Sequence, residues 1–197
     1  MSIYSPEELS VLGLAGFGED VRISRKASIY NPSRISIGNH VRIDDFCVLS
    51  AGEGGIEIGD YIHIAVYCSL IGVGKIAVCD FANLSSRISI YSSNDDYSGI
   101  YMTNPMVPDK YTGVIHDDVI IGRHAIVGSG SVILPGAQLE EGTSVGALSL
   151  VKHKYTCHSF GIYAGVPVQR IGERKRDLLE LEKQLRQQSI PGSGDKQ

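Results

Sequence analysis

The chain has 197 residues, 43% of them hydrophobic, and a formal net charge of -4, enough for one main domain with a short appendage at each end. The acidic balance gives no electrostatic reason to expect nucleic acid, leaving room for local basic patches toward a small phosphorylated ligand, and no apolar run reaches the length of a membrane span. The opening Met1-Ser-Ile-Tyr-Ser-Pro-Glu-Glu lacks the basic start and apolar stretch of a secretory signal, so a cytoplasmic protein is expected. The four cysteines, Cys47, Cys68, Cys79 and Cys157, have no C-x-x-C spacing and read as reduced structural thiols.

Residues 1–20 read as an N-terminal cap helix: Ser5 as N-cap, Pro6 at the first helical position, Glu8 closing a capping box and Gly13 as the stop. From residue 21 to 171 one template recurs: aliphatic, any, aliphatic, usually Gly, polar, any, small or aliphatic, any, aliphatic. It runs through Ile35-Ser-Ile37-Gly38-Asn39-His40-Val41-Arg42-Ile43, then the segments beginning at Ile56, Ile76 and Val119, with a degenerate forerunner at Val21. The longest uninterrupted run is Ile121, Val127, Ile133, Leu139, Val145, Val151. A period of six suits neither a helix nor a plain strand. It suits a short strand, a corner and a repeat, so that aliphatic residues fill the axis of a triangular coil and each coil pairs with its neighbours. Small residues such as Cys47, Ala82, Ser131 and Thr143 are expected inside the corners, and glycine after the aliphatic is expected to take a positive φ there.

The period fails across residues 91–118, a segment rich in Tyr, Asn, Pro and acids that includes Tyr91-Ser-Ser-Asn94-Asp95-Asp96-Tyr97. A loop of that length inserted after the third coil is expected to be functional, since solenoids gather such insertions on a binding face. After the repeats, residues 172–188 carry leucines at 178, 181 and 185, a narrow apolar stripe for a C-terminal helix. Residues 189–197 are polar and expected to be disordered.

The hexads, followed by Tyr163-Ala-Gly165-Val-Pro167-Val-Gln169-Arg170-Ile171, resemble the hexapeptide acyltransferases, in particular the galactoside and maltose O-acetyltransferase branch. The resemblance implies an all-β solenoid, the left-handed parallel β-helix; handedness comes from the family and not from the spacing. It also implies a homotrimer that transfers acetyl from acetyl-CoA to a sugar at clefts between subunits, without a metal. Carried onto this sequence, the pantetheine arm passes Ser129 and Ala147, where small side chains leave it room. Lys152 and His153 stand where a Thr-Lys pair meets the CoA phosphates, and Arg170 adjoins the closing-motif position Gln169.

The family's histidine base falls on Asp95, an exposed carboxylate of which is about a thousandfold too acidic for that role at neutral pH. Burial against Asp96 would raise its pKa; otherwise His116, at the loop's return, is the nearest candidate base. Asn94, Tyr97 and Asn83 are the candidates for holding the acceptor. His40 and His124 share a corner position with Tyr61 and Phe81, so packing explains them, and His63 points outward from a strand.

Three functions remain open at this point. The first is an O-acetyltransferase acting on a sugar of a bacterial surface polysaccharide, O-antigen or capsule. The second is an N-acetyltransferase of an amino sugar, perhaps nucleotide-linked, whose nucleophile needs a weaker base. The third is an inactive β-helix binding module.

Overall fold

A computed structural model describes residues 2–188; the polar segment 189–197 lies outside the described residues. Helix α1 (Pro6–Val11) forms at the capping box, with the Ser5 N–H donating to Glu8 at 2.7 Å and the Glu8 N–H donating to Ser5 Oγ at 3.3 Å. Its Leu9 is buried in the core at the start of the coil stack.

The chain then winds as a left-handed parallel β-helix with three faces of seven, eight and six strands. The first face opens at Gly16–Phe17 and continues through Ile35–Ile37, Ile56–Ile58, Ile76–Val78 and Val119–Ile121. Because Gly16–Phe17 already stacks on Ser36–Ile37, one coil precedes the legible repeats, and the long loop leaves after the fourth coil rather than the third. On this face Ile37, Ile58, Val78, Ile121, Leu139 and Cys157 stand in one in-register column, none more than 4% exposed. Burying each such aliphatic side chain contributes about 1.5–3 kcal/mol, which is why six-residue spacing is selected. The loop leaves this register intact: Val119–Ile121 pairs directly with Ile76–Val78.

The corners alternate two kinds of residue. Val41, Cys47, Cys68, Ala82, Ala125, Ser131, Ala137, Thr143 and Ser149 point inward and are all buried. The buried hydroxyls find acceptors in the next coil or nearby, as with Ser131 to the Gly146 carbonyl at 3.0 Å and Thr143 to the Cys157 carbonyl at 3.2 Å. The left-handed backbone falls elsewhere than expected. His40, Tyr61, Phe81 and His124 carry φ of 56°, 57°, 61° and 60°, whereas Gly38, Gly59 and Gly122 do not have positive φ. The glycines are required by close approach: a Cβ on Gly38 would come within 2.7 Å of the Gly59 carbonyl carbon in the next coil. Side chains beside them form a ladder, Asp60 accepting from the Asn39 N–H at 2.7 Å and Asp80 from the Asp60 N–H at 2.9 Å.

At the far end, Gln169–Glu173 folds back antiparallel on Gly161–Ala164 and covers an open sheet edge. Helix α2 therefore starts only at Leu178 and runs to Gln188. It docks through charge as well as packing. Buried Glu182 lies 2.6 Å from His124 Nε2, 2.7 Å from Arg123 and 2.7 Å from Arg186, while Leu181 of the leucine stripe remains 64% exposed.

Candidate active site

The loop's two ends zip together before it departs. Ser93–Asn94 pairs antiparallel with Ile115–His116. Ser92 Oγ donates to the Gly74 carbonyl at 2.7 Å, and the Lys75 N–H donates to Asp118 at 2.8 Å. Asp117 is gripped from the coils above by His153 Nε2 at 2.8 Å and Lys154 Nζ at 3.4 Å. The His153 hydrogen bond, followed by Lys154, holds the Asp117 carboxyl below the usual range. So anchored, the loop arches over the corner between the third and first faces and encloses an open cleft of about 860 Å³.

Asn94, Asp95 and His116 all line this cleft, with Asn31, Asn104 and Asp109. No Lys or Arg is among the lining residues. A pocket whose fixed charges are two carboxylates favours a cationic group over an anionic one. Ser93 Oγ sits 2.8 Å from His116 Nδ1 and accepts the Val73 N–H at 2.7 Å. The Ser93 hydroxyl thus ties the His116 ring to the coil backbone through the Val73 N–H.

The other sequence candidates lie outside the cleft. Asp96 does not sit against Asp95 as a paired carboxylate. It closes a turn, accepting from Ser98 Oγ at 2.7 Å and from the N–H groups of Ser98, Gly99 and Tyr101 at 3.2, 3.0 and 3.2 Å. These bonds, the Ser98 hydroxyl first, hold its pKa below the ordinary value. Tyr97 projects into solvent and is absent from the lining. Asn83 stands on the second face, in register with His63 below and Ile126 above.

Ser129 and Ala147 lie one above the other at the corner between the second and third faces, joined by the Leu148 N–H to the Ser129 carbonyl at 2.9 Å. Beside them Gly128 packs so closely that a Cβ would fall 2.7 Å from the Gly146 carbonyl carbon. Lys152 is exposed at the next corner, His153 is engaged by Asp117, and Arg170 pairs with Glu173 at 2.9 Å. Sequence reasoning missed Ser93 because its role depends on a strand that returns 23 positions later.

It missed a second arrangement as well. His63 Nε2 lies 2.9 Å from Asp44 Oδ2, and Arg42 Nε lies 2.7 Å from Asp44 Oδ1. Burial works to raise the Asp44 pKa, but the hydrogen bonds from His63 and Arg42 outweigh it and hold the carboxyl below its ordinary value.

A coiled, loop-bearing solenoid of this build belongs to the left-handed β-helix class, and comparison with known proteins makes it an acyltransferase. An Escherichia coli dTDP-4-amino-4,6-dideoxy-D-glucose acyltransferase is 55% identical over 183 residues, covering 93% of this chain and 94% of the relative. The chain belongs to that acyltransferase family. AntD, an N-acyltransferase from Bacillus cereus, is 46% identical with a TM-score of 0.89 in its complex with dTDP and 3-hydroxybutyryl-CoA, covering 95% of this chain and 97% of that one. A variant of AntD has been solved with dTDP-4-amino-4,6-dideoxyglucose and Coenzyme A, at a TM-score of 0.90. A maltose O-acetyltransferase from Clostridium difficile 630, 16% identical with a TM-score of 0.56 over 86% of this chain and 75% of that one, shares the fold. No family model matches the chain.

Proposed function

We propose that this protein transfers an acyl group from acyl-CoA to the amine of a dTDP-linked 4-amino-4,6-dideoxyglucose. Of the readings open from the sequence, the N-acyltransferase replaces the O-acetyltransferase as the leading one. The observation that carries it is the cleft itself: Asp95 and Asp109 in a lining without Lys or Arg suit an acceptor that arrives as an ammonium. The 55% identical relative supports the same acceptor.

In this reading Asp95 is the ion-pair partner that draws in and orients the ammonium. Asn94 and His116 contact sugar or phosphate oxygens. Ser129 and Ala147 leave a path for the pantetheine arm, and Lys152 and Arg170 meet the CoA phosphates. Asn83 contacts the acceptor from a neighbouring copy. The enzyme works as a cytoplasmic homotrimer, for which Leu148, Val166 and Ile171, 74%, 72% and 66% exposed, offer apolar contact surface. Its product serves a surface polysaccharide.

The test is release of CoA thiol from acetyl-CoA and 3-hydroxybutyryl-CoA with dTDP-4-amino-4,6-dideoxyglucose, set against the same sugar bearing a 4-hydroxyl. Rapid release with the amine and none with the hydroxyl is expected; the reverse would restore the O-acetyltransferase. Sedimentation equilibrium at three times the chain mass is expected for the assembly.

A further inference from the structure

The two-stranded ribbon at the loop's root places one apolar side chain among its polar ones. Ser93 stands opposite His116 and Asn94 opposite Ile115, and the next step of the same antiparallel register sets Asp95 opposite Val114. Side chains two apart along a strand share a side. Ser93 and Asp95 therefore lie on one side of the ribbon with His116 and Val114 across from them, and all four line the cleft. Directly opposed residues of an antiparallel pair are neighbours, so the carboxylate proposed to receive the ammonium has a branched aliphatic side chain beside it.

Val114 is 38% exposed, yet its backbone is held. Tyr101 presses on Gly113, where an added Cβ would fall 2.7 Å from the ring carbon Cγ. Val73 and Val107 also line the cleft, and Val73 is tied to the same ribbon through its N–H bond to Ser93 Oγ. Two polar atoms of the loop wall are engaged within the loop itself: Thr112 Oγ1 donates to the Asp109 carbonyl at 3.0 Å, and Asn104 Oδ1 accepts the Met106 N–H at 3.0 Å. Beside Asp95 on the ribbon the cleft therefore offers hydrocarbon, with the Thr112 proton and the Asn104 oxygen committed to their own turns.

We infer that Val114 is the specificity-determining contact for the C6 methyl of the acceptor, selecting a 6-deoxy amino sugar over its 6-hydroxyl counterpart. This rests on the amino-sugar reading given above. In a 4-amino-4,6-dideoxyglucose the amine sits on C4 and the methyl is carried by C5, the adjoining ring carbon. A sugar whose ammonium pairs with Asp95 therefore carries its methyl alongside that nitrogen, within reach of the cross-strand neighbour. Contact with Val114 removes apolar surface of both groups from water, whereas a hydroxymethyl group in the same place gives up hydrogen bonds to water for a hydrocarbon neighbour. A hydrophobic site rejects an added hydroxyl by no more than about a hundredfold, which sets the ceiling on the effect. Val114 acts on the choice of acceptor and takes no part in bond making.

The experiment measures kcat/KM for dTDP-4-amino-4,6-dideoxyglucose and for dTDP-4-amino-4-deoxyglucose, with the faster of acetyl-CoA and 3-hydroxybutyryl-CoA as donor, in wild type, Val114→Thr and Val114→Ala. Thermal melts verify folding. Wild type is expected to prefer the 6-deoxy sugar by about ten- to a hundredfold. Val114→Thr keeps the shape and adds a hydroxyl; it should cut that preference by about fivefold or more, mostly through a higher KM for the 6-deoxy sugar. Val114→Ala should weaken the 6-deoxy sugar and leave the 6-hydroxyl sugar nearly unchanged, and it carries the comparison if Val114→Thr does not fold. A merely structural role for Val114 would lower both sugars together and leave their ratio in place. Equal use of the two sugars by wild type, or an unchanged ratio in the folded variants, would overturn the inference while the amino-sugar acceptor stands. No turnover of either amino sugar with either donor would sink the acceptor reading and the inference with it.

Discussion

Two corners of the same coil have opposite fates. At the first, the rings of His40, Tyr61, Phe81 and His124 stack at centroid separations of 4.6, 4.9 and 4.9 Å, and α2 closes over them with Arg186 5.2 Å from the Phe81 ring and Glu182 on His124. At the second, Phe46 and Tyr67 stack at 4.9 Å with φ of 62° each, yet both remain exposed. Above them the column changes to Arg87, Gly130 and Leu148, beside the small residues Ser129 and Ala147. The backbone conformation is shared, so it does not decide the use. A segment from elsewhere in the chain covers one corner and leaves the other open. The covered corner is packed beneath α2, and the open one stays exposed.

This contrast is open to breakage, beginning with the loop corner that lies between the two. Asp95→Ala should lower kcat/KM for the amino sugar by about 3 kcal/mol, roughly a hundredfold, by removing the ammonium's partner, with an unchanged melting temperature. A melt shift as large as the activity loss would make Asp95 structural. At the covered corner, Glu182→Ala should destabilise the protein by about 2 kcal/mol, since it strips charged hydrogen bonds from His124, Arg123 and Arg186, while kcat stays at the wild-type value.

The same carboxylate sets a pH dependence. Burial raises the Glu182 pKa, but the bonds from Arg186 and His124 prevail and hold it below its ordinary 4.5. Its contribution is therefore complete above about pH 4.5 and is lost as pH falls through the lowered folded value. Acid titration of the melting temperature should show wild type losing its advantage over Glu182→Ala in that range.

At the open corner, Ala147→Leu should raise the KM for acyl-CoA about tenfold, some 1.4 kcal/mol, without changing the KM for the sugar or the melt. Smallest of all, Arg22→Ala removes an exposed pair with Asp20 and should move stability by less than about 0.5 kcal/mol.

The solenoid was legible because its signal is repeated: every sixth aliphatic enters one dry column, so each coil reports the same constraint. The reading of Gly38 and Gly59 was right in place and wrong in cause, since crowding by the next coil leaves no trace in local backbone preference. The capping box at Ser5 was legible because its partners are three residues apart. The C-terminal helix was legible in kind but not in start, because the antiparallel return of Gln169–Glu173 depends on an edge that local spacing cannot reveal.

The cleft was half legible. Asn94, Asp95 and His116, singled out by their place in the interruption, line the cleft, whereas Asp96 closes a turn instead of pairing with Asp95. Sequence alone determined the coil, its aliphatic axis and the segment that would break it, all consequences of local periodicity and burial. Tertiary structure decided which polar groups meet: Ser93 with His116, Asp44 with His63, and Glu182 with His124, pairs separated by 23, 19 and 58 positions. A solenoid brings such residues together by stacking coils and folding its termini back, and neither operation has a period that a sequence displays.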